Sequence, residues 1–415
     1  MPDLYSAILY VSIFTTLFFE VFLLITYLEV RGDIKRENAL IAQGPKRFPT
    51  MTVIIPCFNE EKTVAATIES VLALDYPQDK ISFILIDDGS KDGTLAVLNS
   101  YKHLPNVEVV TKPNGGKHSA VNLGIDMTTT ELVACLDADS FVTPETLRNM
   151  VPYFDDPEIK AVVPSIKVHE PKNMLQSMQK NEYRWGVFLR RMLSSMGALY
   201  VTPGPFSTFR TSVFRELGNY KFAHLTEDME MAMRLQKHGY KFVNSHSAHV
   251  YTVTPPTIRR LMIQRVRWTY GFLNNIFDYR EMIFNKKYGN IGMFIIPLSV
   301  FSIIFTPITM GNMVLHVLSD FSKWVERVYT VGLNWHFSWP SFDWYFVNTG
   351  ALPFLMAGTT VILLIILYLA IKLADGKVKL DRGFFYYLAF YAFLVPLWLT
   401  KAIWNTIFRT KVTWR

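Results

Sequence analysis

The sequence has little cysteine and lacks long runs of like charge. Cys57 and Cys135 are the only cysteines in 415 residues, too few for a disulfide framework or a zinc cluster, and they suit a reducing compartment. The formal net charge is +7, but the basic residues are spread along the chain, so an arm that binds nucleic acid is not expected. Long internal repeats and low-complexity segments are also lacking, which argues against a repeat architecture.

Hydrophobic residues, in contrast, make up 50% of the chain. This is high for a soluble enzyme and low for a pure bundle of membrane helices, so we expect a soluble domain and membrane helices in one chain. The apolar run at residues 7–27 is about long enough to span a bilayer. Arg31, Lys35 and Arg36 follow it and place that end in the cytosol. A cleaved signal peptide is the alternative, but the run is too long and its basic charge is on the wrong side.

Apolar runs bounded by turn residues alternate with helical periodicity in the middle of the chain. This pattern predicts strands at residues 51–56, 81–86, 107–110 and 131–136, and helices at 60–74, 95–100, 117–127 and 229–238. Strands that alternate with helices indicate an α/β domain with a mostly parallel sheet, whose ligands bind beyond the carboxyl ends of the strands. Three of these strands end in polar clusters, so we expect the functional site at that edge.

The remaining segments predict contact with a membrane. Residues 174–196 and 256–284 are basic and amphipathic, which favours helices in the membrane interface over ordinary surface helices. Residues 291–317 and 352–373 read as membrane spans, with an aromatic loop at 319–348 on the far side. The last apolar segment, 384–408, contains Pro396 and Lys401; it either crosses once or turns back at Pro396, and we favour the return. The basic tail contains Arg409, Lys411 and Arg415.

Acidic residues follow two of the predicted strands. Asp137 and Asp139 alternate at one strand end, where two carboxylates can reach a single hard cation that also binds phosphate. Asp87 and Asp88 follow another strand within Asp-Asp-Gly-Ser. Each pair alone is also compatible with a solvated turn, but two acidic strand ends in one parallel sheet favour a site. Lys117 follows Asn-Gly-Gly at a helix start, which suits phosphate, although a surface lysine is the plainer alternative.

Two further clusters lie nearer the C-terminus. Glu227 and Asp228 follow Thr226 at a predicted helix start, where acids either stabilise the first turn or supply a general base. The pentapeptide from Gln264 to Trp268 contains Arg267, which has the fork geometry for a diphosphate, and an aromatic ring that can stack on a sugar. The alternative for this pentapeptide is an interface helix with an aromatic anchor.

These clusters, taken in order, resemble the motifs of the family 2 glycosyltransferases. The resemblance is to the processive branch, which contains cellulose, chitin, hyaluronan and poly-N-acetylglucosamine synthases. It covers about residues 50 to 275 and rests on six segments: Pro56-Cys-Phe-Asn59-Glu60, Asp87-Asp88-Gly89, Asn114-Gly-Gly-Lys117, Asp137-Ala-Asp139, Thr226-Glu-Asp228 and Gln264-x-x-Arg267-Trp268. The segment from Gly204 to Ser207 matches no diagnostic sequence for one polymer, and no cyclic-dinucleotide-binding domain is evident.

The resemblance implies a GT-A nucleotide-sugar domain and a role for each matching residue. Asn59, Glu60 and Asp88 would line the nucleoside pocket. Lys117, Gln264 and Arg267 would hold the diphosphate. Asp137 would contact the donor and, with Asp139, bind Mg²⁺ or Mn²⁺. Glu227 and Asp228 would be catalytic, with Asp228 as the base, and Trp268 would hold the acceptor sugar. His249 is a weaker candidate for a metal contact than for a structural role.

The expected function is therefore inverting sugar transfer in a membrane. The main hypothesis is processive extension and export of a polysaccharide from a UDP-sugar, with UDP-N-acetylglucosamine the best candidate. The alternative is a lipid glycosyltransferase of the ceramide glucosyltransferase type, which adds one or a few sugars. Expected partners are a nucleotide-sugar donor, a glycan or lipid acceptor, membrane lipids and an accessory membrane subunit. We expect a multi-pass plasma-membrane protein with a cytosolic catalytic domain, divided into residues 1–47 (membrane helix and linker), 48–253 (GT-A domain), 254–290 (interface helices) and 291–415 (membrane region).

Overall fold

A computed structural model describes residues 4–333 and 350–410 of the chain. Its first part contains, in order, α1 (Leu4–Gln43), β1 (Met51–Cys57), α2 (Val64–Leu72), β2 (Ile81–Asp87), α3 (Thr94–Ser100), β3 (Val107–Thr111), α4 (Lys117–Met127), β4 (Leu132–Cys135), β5 (Ser140–Val142) and β6 (Ile159–Val168). Its second part contains α5 (Met174–Ser195), β7 (Thr208–Arg210), α6 (Ser212–Leu217), α7 (Glu227–Lys237), β8 (Lys241–Thr252), α8 (Ile258–Asp278), α9 (Ile296–Val331), α10 (Ala351–Asp375), α11 (Arg382–Tyr386) and α12 (Ala392–Phe408).

The strands form one eight-stranded sheet in the order β3-β2-β1-β4-β7-β6-β8-β5. The four strands from β3 to β4 are parallel, as the alternating sequence pattern predicts. Beyond β4 the sheet is mixed, because β7 pairs antiparallel with both β4 and β6, and β5 pairs antiparallel with β8. The expected α/β domain with a mostly parallel sheet is confirmed, and the antiparallel strands are an addition that the sequence pattern did not predict.

The parallel part of the sheet is covered on both faces. Val53, Ile54 and Ile55 are consecutive in β1 and are all fully buried, although neighbouring strand residues point to opposite faces. One core cluster lies on the side of α2 and the other on the side of α4. Burying each such branched side chain contributes about 1.5–3 kcal/mol. This two-sided core explains why the strands read as continuous apolar runs and why their polar carboxyl ends are left at one edge.

Four helical segments among the described residues are long and apolar enough to cross a membrane: Tyr5–Gln43, Ile291–Val331, Ala351–Asp375 and Arg382–Phe408. The first is longer than the roughly 20 residues that a bilayer requires. Its C-terminal part contacts the sheet domain, because Glu37 pairs with Arg191 at 2.8 Å and Asn38 accepts from His246 at 2.9 Å. The N-terminal part of α1 is therefore an apolar helix of membrane-spanning length, and its C-terminal part is bound to the sheet domain.

Two predictions for the C-terminal region are wrong. The expected loop does not begin at Ser319, because α9 continues to Val331; residues 334–348 of that loop lie outside the described residues. The chain does not turn back at Pro396, because helical structure is continuous from Arg382 to Phe408. A wider π-helical turn at Tyr387–Tyr391 comes just before α12, the kind of local adjustment that lets a long apolar helix contain a proline. Lys411 and Arg415 also lie outside the described residues.

The two basic amphipathic stretches are helices α5 and α8, as predicted. α5 is tied to other helices through three buried arginines. Besides the Glu37–Arg191 pair, Arg184 pairs with Asp375 at the end of α10 at 2.6 Å, and Glu182 pairs with Arg265 of α8 at 2.5 Å. A buried arginine that loses its partner destabilises a fold strongly. These ion pairs therefore hold α5 in place between the sheet domain and the apolar helices.

Candidate active site

The carboxyl ends of β1 and β2 are joined by contacts between their loops. Asn59 adopts a left-handed backbone conformation with φ of 56°, which asparagine tolerates better than most residues. Its backbone N–H donates to the Ser90 hydroxyl at 3.0 Å, and its side-chain oxygen accepts from the Lys91 backbone N–H at 2.8 Å. Asn59 therefore fixes the shape of the two loops at this sheet edge.

Asp88 organises the glycine-rich turn before α4. One of its carboxylate oxygens accepts from the Lys112 ammonium at 2.7 Å and from the Gly115 N–H at 3.0 Å, and the other accepts from the Gly116 N–H at 2.9 Å. These contacts join the ends of β2 and β3 to the start of α4. Sequence analysis did not select Lys112, although its position directly after β3 places it at the same edge.

Glu60, Asp137 and Asp139 concentrate negative charge beyond β1 and β4. Burial, followed by repulsion from Asp137 and Glu60, raises the pKa of Asp139 to about 6 against the attraction of Lys117. Glu60 accepts a hydrogen bond from the Thr63 hydroxyl at 2.9 Å. A group of three His, Cys, Asp or Glu side chains arranged for a metal is not found within the described ranges, so the carboxylates offer an incomplete set of ligands.

Lys117 lies at the centre of the predicted site. Its ammonium is 2.5 Å from Asp137 and 3.7 Å from Glu227. Burial alone would lower the pKa of Lys117, but these two carboxylates raise it well above its ordinary value. Gly204 lies against the pair, since a Cβ there would be 2.8 Å from the ammonium. The Gly204 segment therefore adjoins the cation, and a larger residue would displace it.

Asp228 is partly buried beside Lys117 and Arg267. Burial and the neighbouring Glu227 raise its pKa to about 6, and the two cations oppose this rise. One carboxylate oxygen accepts from the Met229 N–H at 2.9 Å. The backbone carbonyl of Asp228 accepts from the hydroxyl of Thr202 at 2.8 Å. A carboxylate held in this way, with a raised pKa, has the properties of a general base that works near neutral pH.

Helix α8 packs closely on the segment that carries Asp228. A Cβ on Gly271 would be 2.1 Å from the Thr226 hydroxyl oxygen, so only glycine fits without movement. Asn275 donates to the same hydroxyl at 2.9 Å, and Arg267 donates to the Leu225 carbonyl at 2.8 Å. The two motifs, 36 residues apart at their nearest ends, Asp228 and Gln264, are thereby held in a fixed relation.

Gln264 and Trp268 are both in contact with Arg265. The Gln264 side-chain oxygen accepts from Arg265 at 2.7 Å, and the Arg265 guanidinium lies 4.3 Å from the centre of the Trp268 ring. Trp268 also lines an apolar cavity of about 490 Å³ that reaches Met229 and the apolar helices. Sequence analysis treated Arg265 as a variable position of the Gln-x-x-Arg-Trp motif. Its contact with Glu182 of α5 could not be seen from the motif.

His249 is not part of this cluster. Burial, followed by the positive charge of Lys167, lowers its pKa to about 4, and its other charged neighbours are His246 and Asp375. These groups belong to the side of the sheet that faces the end of α10. This environment fits the structural role that sequence analysis preferred for His249.

Comparisons with known proteins agree with the fold and the motifs. Residues 52–218 match the model of glycosyl transferase family 2. A poly-beta-1,6-N-acetyl-D-glucosamine synthase of Staphylococcus epidermidis is 29% identical over 250 residues, which are 60% of either chain. The enzyme of the same name from Staphylococcus aureus is 31% identical over 224 residues, 53% of this chain and 54% of the relative. The chain thus spans only about three fifths of the length of the curated relatives it matches.

A solved structure resembles nearly the whole chain. It is the mannosyltransferase PcManGT from Pyrobaculum calidifontis in complex with GDP-Man and Mn²⁺, with a TM-score of 0.64 and 18% identity, and the match covers 98% of this chain and 100% of that one. At this identity the likeness shows the fold alone. It confirms the GT-A architecture together with the accompanying apolar helices.

Proposed function

We propose that the chain extends a polysaccharide processively from UDP-N-acetylglucosamine, at a membrane, and couples extension to export. The observation that carries the transfer chemistry is the convergence of Lys117, Asp137, Glu227, Asp228 and Arg267 at one sheet edge. The choice of sugar and polymer is supported by the curated relatives, which are named as synthases of a β-1,6-linked N-acetylglucosamine polymer. They give no support to the ceramide glucosyltransferase alternative.

The donor would lie across the carboxyl ends of the parallel strands. Asn59, Glu60 and Asp88 would line the nucleoside pocket, with Asp88 acting mainly through the turn that it holds. Lys117, Gln264 and Arg267 would surround the diphosphate, because ammonium, amide and guanidinium groups all donate hydrogen bonds to phosphate oxygens. The contact between Lys117 and Asp137 keeps this ammonium in place until the phosphates arrive.

A divalent cation, Mg²⁺ or Mn²⁺, fits the paired carboxylates Asp137 and Asp139. The raised pKa of Asp139 reflects burial and mutual repulsion, and a cation would relieve both. Two protein carboxylates are a sufficient set when the phosphates of a substrate complete the coordination shell, as is usual for Mg²⁺. The bound cation would supply positive charge to the leaving diphosphate.

Asp228 would act as the general base, and Glu227 would hold Lys117 beside it. The acceptor hydroxyl would give its proton to Asp228 as its oxygen bonds to the anomeric carbon. The bond from that carbon to the diphosphate breaks on the opposite face, so the configuration inverts and UDP leaves. Lys117 and Arg267 would stabilise the charge on the diphosphate. Trp268 would hold the acceptor sugar beside this point.

The domain division and the membrane arrangement are part of the proposal. Residues 48–253 would form the catalytic domain in the cytosol, residues 254–290 would lie at the membrane interface, and residues 1–47 and 291–415 would anchor the protein in the plasma membrane. The support comes from the four candidate spans and from the basic residues Arg31, Lys35 and Arg36, which follow the apolar run of α1. An accessory membrane subunit would complete the export path, since few helices are available to form one.

A donor screen tests the proposal. The purified full-length chain is incubated with UDP-N-acetylglucosamine, UDP-glucose or GDP-mannose, and release of the nucleoside diphosphate is measured with Mg²⁺, with Mn²⁺ and with EDTA. We expect UDP-N-acetylglucosamine to be turned over fastest and EDTA to abolish release. Preference for GDP-mannose would overturn the choice of donor, and metal-independent turnover would overturn the role of Asp137 and Asp139.

A further inference from the structure

We propose that Arg265, Glu182 and Tyr391 form a positioning triad that orients the Gln264 amide for the diphosphate and the Trp268 ring for the acceptor sugar. The triad joins three helices that are distant in sequence, namely α8, α5 and the segment leading into α12. The inference rests on the proposed sugar transfer, since that function gives Gln264 and Trp268 their tasks. The members of the triad do not touch the donor or the acceptor. They set the orientation of Gln264 and Trp268, which do.

A single carboxylate oxygen connects the three members. Oε2 of Glu182 is 2.5 Å from the Arg265 guanidinium and accepts from the Tyr391 hydroxyl, also at 2.5 Å. Arg265 is 3% exposed, so its charge has little access to water and depends on Glu182. The Tyr391 hydroxyl adds a neutral donor from the last apolar segment. The Glu182 carboxylate is therefore held from two sides, by Arg265 and by Tyr391, and it in turn holds the guanidinium.

The other end of the Arg265 guanidinium controls the orientation of Gln264. Its second terminal nitrogen donates to the Gln264 side-chain oxygen at 2.7 Å. This leaves the amide N–H groups of Gln264 as the groups that face a ligand. A diphosphate offers only acceptor oxygens, so an amide turned the other way would present its own oxygen and repel it. Arg265 thus selects the useful orientation of the amide.

The same guanidinium also fixes the indole of Trp268. It lies 4.3 Å from the ring centre, so it covers one face of the ring. The ring also lines the cavity that Met229 borders, and Met229 is the neighbour of Asp228. A sugar that stacks on Trp268 must therefore use the remaining face of the ring. Loss of the Arg265 contact would free the ring to rotate and would make this stacking less frequent.

Substitutions at Glu182 and Tyr391 test the triad without touching the motif itself. The full-length chain is assayed with UDP-N-acetylglucosamine and a short β-1,6-linked N-acetylglucosamine oligomer, each varied in turn. We expect Glu182→Gln to lower kcat/KM for the oligomer roughly tenfold, the loss typical when a hydrogen-bonded charge loses its partner. KM for the donor should rise by a smaller factor, because the triad also orients Gln264 towards the diphosphate. Tyr391→Phe should have a smaller effect, and the double variant should resemble Glu182→Gln because both changes act through one oxygen.

Glu37→Gln is the matched control. It removes the carboxylate of another buried ion pair of α5, with Arg191, but it contacts no motif residue. We expect a lower thermal midpoint and unchanged kinetic constants for both substrates. If Glu182→Gln changes KM for the donor as much as for the oligomer, or if Glu37→Gln reproduces its kinetic effect, the positioning role is overturned.

Hydrogen exchange of the amides of residues 264–268 separates failure of the triad from failure of the proposed function. If the unmodified chain transfers no sugar from UDP-N-acetylglucosamine, the proposed function fails on that result alone. The triad still predicts faster exchange at residues 264–268 in Glu182→Gln than in Glu37→Gln. Equal exchange in the two variants would overturn the triad whatever the substrate is.

Discussion

The two sides of the candidate site are held together in different ways. On the proposed donor side, loops at adjacent strand ends hold one another through short contacts with the backbone, such as those of the Asp88 carboxylate with the N–H groups of Gly115 and Gly116. On the acceptor side, charged side chains on separate helices hold one another, as Glu182 and Arg265 do. The donor side thus depends on the sheet, whereas the acceptor side depends on how the long helices pack.

This difference predicts that the two sides fail separately. A change in the loops should alter donor binding while the helices stay in place, and a change between helices should alter acceptor use more than donor binding. Asp228 belongs to both sides, because its segment contacts Thr202 on one side and α8 on the other through Thr226. The predictions below test this separation, beginning with the residue that both sides share.

Asp228→Asn should have the largest effect. Asparagine keeps the size of the side chain but cannot accept the proton, so we expect transfer to fall about 10²–10⁴-fold, the usual contribution of a general base. Binding of UDP-N-acetylglucosamine, measured by calorimetry, should change little because the donor side is intact. Near-normal turnover of the variant would show that another group is the base.

The pH profile should lose activity on the acid side with a midpoint near pH 6. The pKa of Asp228 is raised to about 6, so the base is protonated and inactive below that value, and kcat/KM should fall about tenfold per pH unit there. Asp139 has a raised pKa in the same range. Because a metal competes with protons for a carboxylate, higher Mn²⁺ should move the midpoint to lower pH if Asp139 controls it. If the midpoint does not change with the Mn²⁺ concentration, the titrating group is Asp228. If activity does not fall on the acid side between pH 5 and 7, neither Asp228 nor Asp139 controls it.

Gly271→Ala should disturb the junction between the two sides. The new Cβ would overlap the Thr226 hydroxyl, and such overpacking costs about 1–3 kcal/mol of stability. We expect a lower thermal midpoint and a reduced kcat, since the segment that holds Asp228 must move. Gly311→Ala in α9 is the control, because its Cβ would meet no atom within 4 Å. Equal behaviour of the two variants would mean that the close packing at Thr226 is unimportant.

Lys112→Met should have the smallest effect, and only on the donor side. It removes the partner of Asp88 and loosens the glycine turn, so we expect KM for the donor to rise about threefold to tenfold, in line with loss of a charged hydrogen bond. KM for an acceptor oligomer should stay the same. Lys102→Met, at an exposed position after α3, is the control and should match the unmodified chain. A change in acceptor KM alone would contradict the assignment of Lys112 to the donor side.

The donor side was the part that the sequence predicted best. Its strands are continuous apolar runs that end in polar clusters, so Asp88, Lys117 and Asp137 could be placed together from local patterns and from the parallel arrangement alone. For Asp228 and Arg267 the residue pattern left a structural alternative open, and the motif resemblance then favoured the functional interpretation. The short antiparallel strands β5 and β7 were not found, because three residues contain too little periodicity to identify a strand.

The acceptor side could not be predicted in the same detail. The motif selected Trp268, but nothing near Arg265 in the sequence indicates that Glu182 and Tyr391 are its partners, because the pairing depends on the packing of distant helices. Pro396 also misled the prediction, because a proline usually interrupts a helix, whereas here α12 continues through it to Phe408. Local sequence patterns therefore predict the candidate catalytic and binding residues more readily than the contacts between helices that position them.

Sizing of the reaction product tests the central claim most directly. The purified chain is incubated with radiolabelled UDP-N-acetylglucosamine and a divalent cation, and the labelled product is separated by gel filtration and by extraction into organic solvent. The account predicts a water-soluble polymer of high mass that a β-1,6-specific N-acetylglucosaminidase degrades. A short product that partitions into the organic phase, with only one or a few sugars, would contradict processive polysaccharide synthesis.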